Sequence, residues 1–386
     1  MIDHMLQEIH EQPAFLRELI NTNKEKIYET INRIRKRNSI KRIILTGCGD
    51  SLCAALTSEY AFNTKNLSTM ALPPMEFSRY KYKFYDLLDD ETLLVPISVS
   101  GRTPRVVESI HAAKSKDCSV LAITNNPDSP VAEMSDEFIY AKSSQIDSLK
   151  SSSYEGEVSS KYVGYEHDVP QTKSYTAVQM ALLLLAESFE KNPDYSELET
   201  IPDIIEKIIK NPLIKELGIR HSSASRHIYS ASGPNYGNAL FGEFKMYEFS
   251  LVGFSKELEE YCHTTYFITE KNTPVVFIAP KDISYQRTSE IAPVLKKIIG
   301  ANPIILSEVQ PDFDHSDWIE VPFNGSEENS IIPYGVFVPL FAYWIAKERG
   351  LNVNTFRGGV EQEKYVEGSY YTIRRSNISS QDEYYS

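Results

Sequence analysis

Ser98, Ser100, Gly101 and Thr103 crowd hydroxyls and a glycine into one short piece of the stretch TLLVPISVSGRTPRVVE (Thr92–Glu108). The apolar run before them reads as a strand and the pattern from Pro104 as a helix, so they fall where a helix begins. There the first backbone N–H groups have no intrahelical partner and the aligned peptide dipoles leave partial positive charge. Hydroxyls with a glycine at such a place can wrap an anion, typically a phosphate. The same residues also fit an ordinary serine N-cap. A second turn, GCGDS (Gly47–Ser51), follows the strand-like RIILT (Arg42–Thr46). In an open parallel sheet, turns at the carboxyl ends of strands converge on one crevice, where ligands bind. Gly47-x-Gly49-x-x-Leu52 lacks the third glycine of a dinucleotide fingerprint, no acidic residue stands at a clear strand end about 20 residues on, and no GxxxxGK[ST] run exists. A small phosphorylated ligand fits better than a nucleotide.

Acid–base chemistry has fewer candidates. Leu240, Phe244, Tyr247 and Leu251 share one face of a helix expected over Ala239–Val252, with Glu248 at the edge of that stripe near Phe241. A carboxylate held against apolar surface has its pKa raised toward the range of a general base, whereas a solvent-facing glutamate does not. Lys245, three residues earlier, stands at salt-bridge spacing. His263 ends the acidic run ELEEYCH (Glu257–His263) and suits either a proton shuttle or a structural role. His221 and His227 are six apart and no trio of metal ligands forms around them, so neither a metal nor a cofactor is expected.

The elements that must position these groups follow from composition and pattern. The chain has 386 residues, enough for two domains. Forty basic against 53 acidic residues give a formal charge of -13, which repels nucleic acid, and the basic stretch Lys24–Arg42 reads as a solvated helix face. The four cysteines (Cys48, Cys53, Cys118, Cys262) show no CxxC spacing and the N-terminus carries no leader pattern, so a cytoplasmic protein with free thiols is expected. No apolar run approaches the roughly 18 residues of a membrane span. Residues 1–40 read as two helices punctuated near Pro13. Strands over 42–46, 92–97 and 119–124 alternate with helices, then a serine- and tyrosine-rich loop (143–166) precedes the helix TKSYTAVQMALLLLAESFE, which Thr172 can cap. Helices near 195–209 and 213–217 lead to a second half with strands at 227–231, 274–279, 304–306 and 318–321, and a polar tail follows from Leu351. The class is α/β with parallel sheets in two similar halves. The expected divisions are 1–38 (N-terminal helices), 39–195, 196–350 and 351–386 (tail).

Taken together these motifs are similar to the double sugar-isomerase (SIS) family, and over nearly the whole chain they resemble the isomerase half of glucosamine-6-phosphate synthase. MLQEIHEQP resembles its opening helix, GCGDS and SVSGRT its phosphate turns, TKSYTAVQMALLLLA its TK-(S/T)-(F/Y)-T helix, ALFGEFKMYEFS its ALEGALKLKEIS helix, and SDWIEVP a late strand. The resemblance implies two flavodoxin-like parallel-sheet domains of three αβα layers, with the tail over the active site. It also implies that Ser51, Ser98, Ser100 and Thr103, with Gly49, Val99 and Gly101, bind a sugar phosphate, and that Val169 and Gln171 lie beside the sugar. By the same likeness Glu248 is the base that moves a proton between C1 and C2, Lys245 its neighbour, and His263 a ring-opening histidine with Glu260 as partner. A homodimer with shared sites is implied as well.

Departures from the family narrow the reaction. Starting at the opening helix, the chain is expected to lack the glutaminase part. Gln171 replaces a serine, and Thr264-Thr265 replaces Gly-Pro after His263. Arg102 replaces an acid, either strengthening anion binding or facing solvent, and Glu361 stands where the family has a tail lysine, with Lys364 nearby. The expected function is an isomerase or aminosugar deaminase acting on a hexose or hexosamine 6-phosphate. A fructosamine-6-phosphate deglycase and a non-catalytic sugar-phosphate sensor are the alternatives.

Overall fold

The computed structural model describes residues 3–84, 88–141 and 170–374. The expected 143–166 loop lies outside them. Two compact units form: the first gathers the described residues of 15–168, 173–195 and 361–386, the second those of 1–14, 169–172 and 196–360. Each contains one parallel five-stranded sheet, as the alternating pattern requires.

In the first unit the strands are β1 (Arg42–Gly47), β2 (Ser68–Leu72), β3 (Thr92–Ile97), β4 (Ser119–Thr124) and β5 (Glu137–Tyr140), in the order β2-β1-β3-β4-β5. β3 and β4 are buried at every position, which is why they read as unbroken apolar runs. The helix Asp50–Asn63 packs against Lys173–Glu187, whose residues from Lys173 to Ala186 are all buried. The second unit has β6 (His227–Ala231), β7 (Gly253–Lys256), β8 (Pro274–Ile278), β9 (Asn302–Ser307) and β10 (Asp317–Glu320), in the order β10-β9-β8-β6-β7. Read from its own first strand, this sheet repeats the order of the first, the flavodoxin-like 2-1-3-4-5. The chain is therefore two flavodoxin-like α/β domains.

The structure corrects three expectations. The two N-terminal helices are one, His4–Arg37, running through Pro13. An interior proline costs about 3 kcal/mol. The buried stripe of Ile9, Leu16, Leu19 and Ile20 on either side of it outweighs that, at roughly 1.5–3 kcal/mol per side chain. Second, β2, β5 and β7 were not expected as strands; all three are short edge strands, and Phe138 and Tyr140 of β5 remain 40% exposed. Third, the helix carrying Glu248 spans Tyr236–Glu248 and stops there, because Ser250 turns to φ 60 and Leu251 donates back to the Met246 carbonyl. Among the described residues no helix is long and apolar enough to cross a membrane.

His227 on β6 is buried edge-to-face on Phe341, and its Nε2 lies 3.1 Å from the His221 carbonyl. Burial pulls its pKa from 6.5 down to about 4, with Arg349 and His221 adding to the fall, and His221 is lowered too, again chiefly by burial. A base with a depressed folded pKa favours folding above its unfolded value and loses that contribution as pH drops. The window runs from about 6.5 to about 4 and the size is roughly 3 kcal/mol. Urea unfolding at pH 7.5 and 4.5 should show a drop that His227→Leu substantially reduces; equal drops in both proteins would remove His227 from the acid response.

Candidate functional site

In the first sheet β1 runs out to β2 on one side while β3 runs out to β4 on the other, so the boundary between β1 and β3 is the topological switch point. The two strands are in parallel register with Gly47 opposite Ile97. The turn GCGDS leaves immediately after Gly47 and SVSGRT immediately after Ile97. Both expected phosphate turns therefore depart from one rung.

Their local geometry follows from the residue types. Gly49 has φ 58 and ψ -128, and a side chain there would meet nothing within 4 Å, so the turn presents bare backbone to open space. Gly49 precedes the helix Asp50–Asn63 and Thr103 precedes Pro104–Lys114; neither residue caps its helix with a side chain. The Thr103 hydroxyl lies instead 3.2 Å from Ser98 Oγ. The ordinary N-cap reading of SVSGRT therefore fails, and the structure puts a conventional serine cap elsewhere, at Ser129 before Pro130–Met134. Gly101, at φ +66, packs against that serine: a Cβ on Gly101 would fall 2.0 Å from Ser129 Oγ and 3.0 Å from Thr124 Oγ1. Val99 O accepts from Asn125 N, Gly101 O from Val131 N, and Ser100 O from Asn126 Nδ2. Ser98, Val99, Ser100, Gly101 and Thr103 thus form one braced turn, with Gly49 and Ser51 on its neighbour from the adjacent strand. Such a pair of helix N-termini can hold an anion. Arg102 is exposed.

The acid–base candidates Lys245 and Glu248 lie in the second unit. Lys245 is fully buried; its ammonium lies 2.6 Å from Glu248 Oε2, donates to the Gln171 carbonyl at 2.9 Å, and sits 4.7 Å from the centre of the Phe241 ring. The expected apolar stripe is wrong. The buried face carries Ala239, Phe241, Gly242, Lys245 and Met246, while Tyr247 is 48% exposed. Gly242 decides the rotation, since a Cβ there would fall 2.7 Å from the Tyr229 ring of β6. Glu248, 19% exposed, thus faces a buried cation instead of an apolar wall. As the last helical residue it meets the negative end of the helix dipole, which the ammonium offsets. This pair can present an oriented carboxylate for proton transfer.

The remaining expected residues are placed less closely. Gln171 contributes its main-chain oxygen to Lys245. His263 is exposed at the end of the helix Leu258–His263, and among the described residues it makes no hydrogen bond or ion pair with Glu260 or Glu248. Val169 lies outside the described residues. Glu361 and Lys364 pair with each other at 2.5 Å on the surface of the first unit. One cluster went unread in the sequence. Glu108, fully buried on the helix Pro104–Lys114, pairs with Arg105 and Arg79. The Arg105–Glu108 spacing was visible; the Arg79 contact joins distant segments and left no local signal. Among the described residues no group of histidine, cysteine and carboxylate side chains is arranged to hold a metal.

Fold and turns define the class: parallel α/β domains with hydroxyl- and glycine-built turns at a switch point. Residues 38–157 match the SIS domain. It is 28% identical over 358 residues to the glutamine–fructose-6-phosphate aminotransferase [isomerizing] of Pyrococcus horikoshii, covering 90% of this chain and 55% of that protein. The chain thus spans about half the length of that relative. Two solved structures share the fold. The tagatose-6-phosphate ketose/aldose isomerase of Escherichia coli has a TM-score of 0.74 at 18% identity, covering 90% of this chain and 94% of that one. The C-terminal domain of glucosamine-fructose-6-phosphate aminotransferase from Francisella tularensis has a TM-score of 0.68 at 20% identity, covering 91% and 97%.

The brace behind Gly101 is open to a direct check. Gly101→Ala combines a left-handed backbone with the Ser129 clash and should cost about 2–4 kcal/mol in urea unfolding. Gly49→Ala, with open space, should cost only the backbone share, about 1–2 kcal/mol. A Gly101→Ala protein within 0.5 kcal/mol of the parent would show that the turn is not braced in this way.

Proposed function

We propose that this chain is a phosphosugar isomerase that acts on a hexose or hexosamine 6-phosphate by moving a proton between C1 and C2. The observation that carries the reading is the departure of both hydroxyl-glycine turns from the single Gly47–Ile97 rung at the switch point. Two helix N-termini and the hydroxyls of Ser51, Ser98, Ser100 and Thr103 bind the phosphate, which fixes one end of an open-chain sugar and leaves the carbonyl end for chemistry. The names of the Pyrococcus relative and the Escherichia isomerase both include a ketohexose 6-phosphate, which supports the substrate class.

Glu248 is the base in this reading. Its carboxylate takes the proton α to the carbonyl, or to an imine where nitrogen is present, and returns it to the adjacent carbon through a cis-enediol or enolamine. Lys245 does not reach out as a flexible surface lysine does, because the Gln171 carbonyl and the Phe241 ring hold its ammonium. It orients the carboxylate and compensates its charge. His263, exposed at the end of its helix, serves ring opening in an assembly of two copies.

Proton NMR in deuterated water tests the chemistry with fructose 6-phosphate, glucose 6-phosphate and glucosamine 6-phosphate. The parent protein should exchange the C1 or C2 proton of at least one of them, and Glu248→Gln should slow that exchange by about 10²–10⁴-fold. Undiminished exchange in the variant would remove Glu248 from the role; no exchange in the parent with any of them would overturn the isomerase reading.

A further inference from the structure

Arg105 is the second residue of the helix that begins at SVSGRT, one step beyond Pro104. Through Nη1 and Nη2 its guanidinium grips both carboxylate oxygens of Glu108, one turn further along. Arg79, from a different segment, reaches the same carboxylate with Nε at 3.1 Å and Nη2 at 2.9 Å. Side-chain exposure grades outward from Glu108 at 0% to Arg79 at 7% and Arg105 at 17%. Arg105 is therefore the member of the cluster that reaches the surface, and it does so anchored at its far side. Among these three side chains two are cations and one is an acid.

The helix dipole does not explain that placement. A cation in the first turn is opposed by the positive end of the helix dipole. An anion bound at the same turn reverses the sign, and a guanidinium matches phosphate oxygens with paired N–H donors. The charge of Arg105 also reaches the other turn: burial pushes the Cys48 thiol up, and Arg105 is the group that pulls against it. Arg102, the cation inside SVSGRT itself, is exposed and held by no side-chain hydrogen bond or ion pair among the described residues.

We propose that Arg105 is the charged contact to the phosphate held by the two turns, and that Glu108 and Arg79 are positioning residues that fix its direction. The proposal rests on the phosphate reading of those turns. Its consequence is specificity: a fixed guanidinium selects phosphorylated sugars over free ones, and the phosphate dianion over the monoanion. The second ionisation of a phosphate ester falls near 6, so pH separates the two forms.

Titration calorimetry with inorganic phosphate and with glucose 6-phosphate, at pH 7.5 and 5.5, tests this. At pH 7.5 Arg105→Gln should weaken both ligands by about 10- to 100-fold. It should also flatten the parent's preference for pH 7.5, which a merely structural defect would leave in place. Arg102→Gln should stay within about twofold of the parent on the same scale. If Arg105→Gln binds like the parent at both pH values while Ser98→Ala loses binding, Arg105 is overturned and the phosphate turns stand. If the parent binds neither ligand, the phosphate reading falls and takes the proposal with it. Should Arg105→Gln fail to fold, Arg105→Lys keeps the charge without the fork. It should then lose several-fold in affinity, and unchanged affinity would overturn the proposal.

Discussion

The in-register pairing of β1 with β3 is the constraint on which the first unit depends. Parallel strands cannot be joined by a tight hairpin, so each must leave the sheet through a helix and return. Where consecutive crossovers go to opposite sides, two turns open next to each other at the carboxyl edge. Gly47 facing Ile97 makes this specific: a Cβ on Gly47 would fall 2.7 Å from Ser51 Cβ and 3.1 Å from the Ile97 carbonyl, so the residue must be glycine for the two turns to lie this close. Backbone proximity thus depends on a small residue here, and within the second turn the hydroxyls of Ser98 and Thr103 lie 3.2 Å apart.

Buried charge follows one rule in both units. Taking an ion out of water is costly unless it is paired, and removing one partner leaves the other stranded. Glu108 answers that with two guanidinium groups; Lys245 answers it with a carboxylate, a carbonyl and an aromatic ring. Each cluster spans more segments than a simple surface pair, and each leaves one member partly open to solvent. Arg105 is that member in the first unit and Glu248 in the second. In each cluster a charged group is held by its partners while staying partly exposed, at 17% for Arg105 and 19% for Glu248.

How much of this was legible in the sequence depends on where each signal resides. Strands β1, β3, β4 and β6 lie in sheet interiors, and their apolar runs announced them. Three of the four edge strands, β2, β5 and β7, went unread, because STMAL, EFIY and GFSK are short and half-exposed and so carry no strong period. The turns were legible because their glycines and hydroxyls are contiguous. The surroundings of Glu248 were not, since the rotation of its helix is set by Gly242 against Tyr229, a contact between distant positions that overrides the stripe of larger residues. Arg79 was invisible for the same reason: its partner lies on another segment.

The two sheets share an order but not an electrostatic character, and this decides which of them suits an anion. In the second sheet the matching switch point lies between β6 and β8, where Ala231 faces Ile278. The turn there begins Ser232-Gly233, and it too offers a hydroxyl and a left-handed glycine, at φ +57. The Ser232 hydroxyl, however, donates to the Glu257 carboxylate, and a Cβ on Gly233 would fall 3.5 Å from Glu327 Oε1. Burial pushes the Glu327 carboxyl up, and the charges of Glu308, Asp282 and Glu328 push it further, so this edge is crowded with acids. A phosphate would meet like charge there. Topology alone would allow either switch point to take an anion; the residues behind the glycines favour the first, where Ser129 backs Gly101 and Arg105 stands on the adjoining helix. In the proposed reading the second unit carries Glu248 as the base, a role that a tightly bound anion close by would oppose.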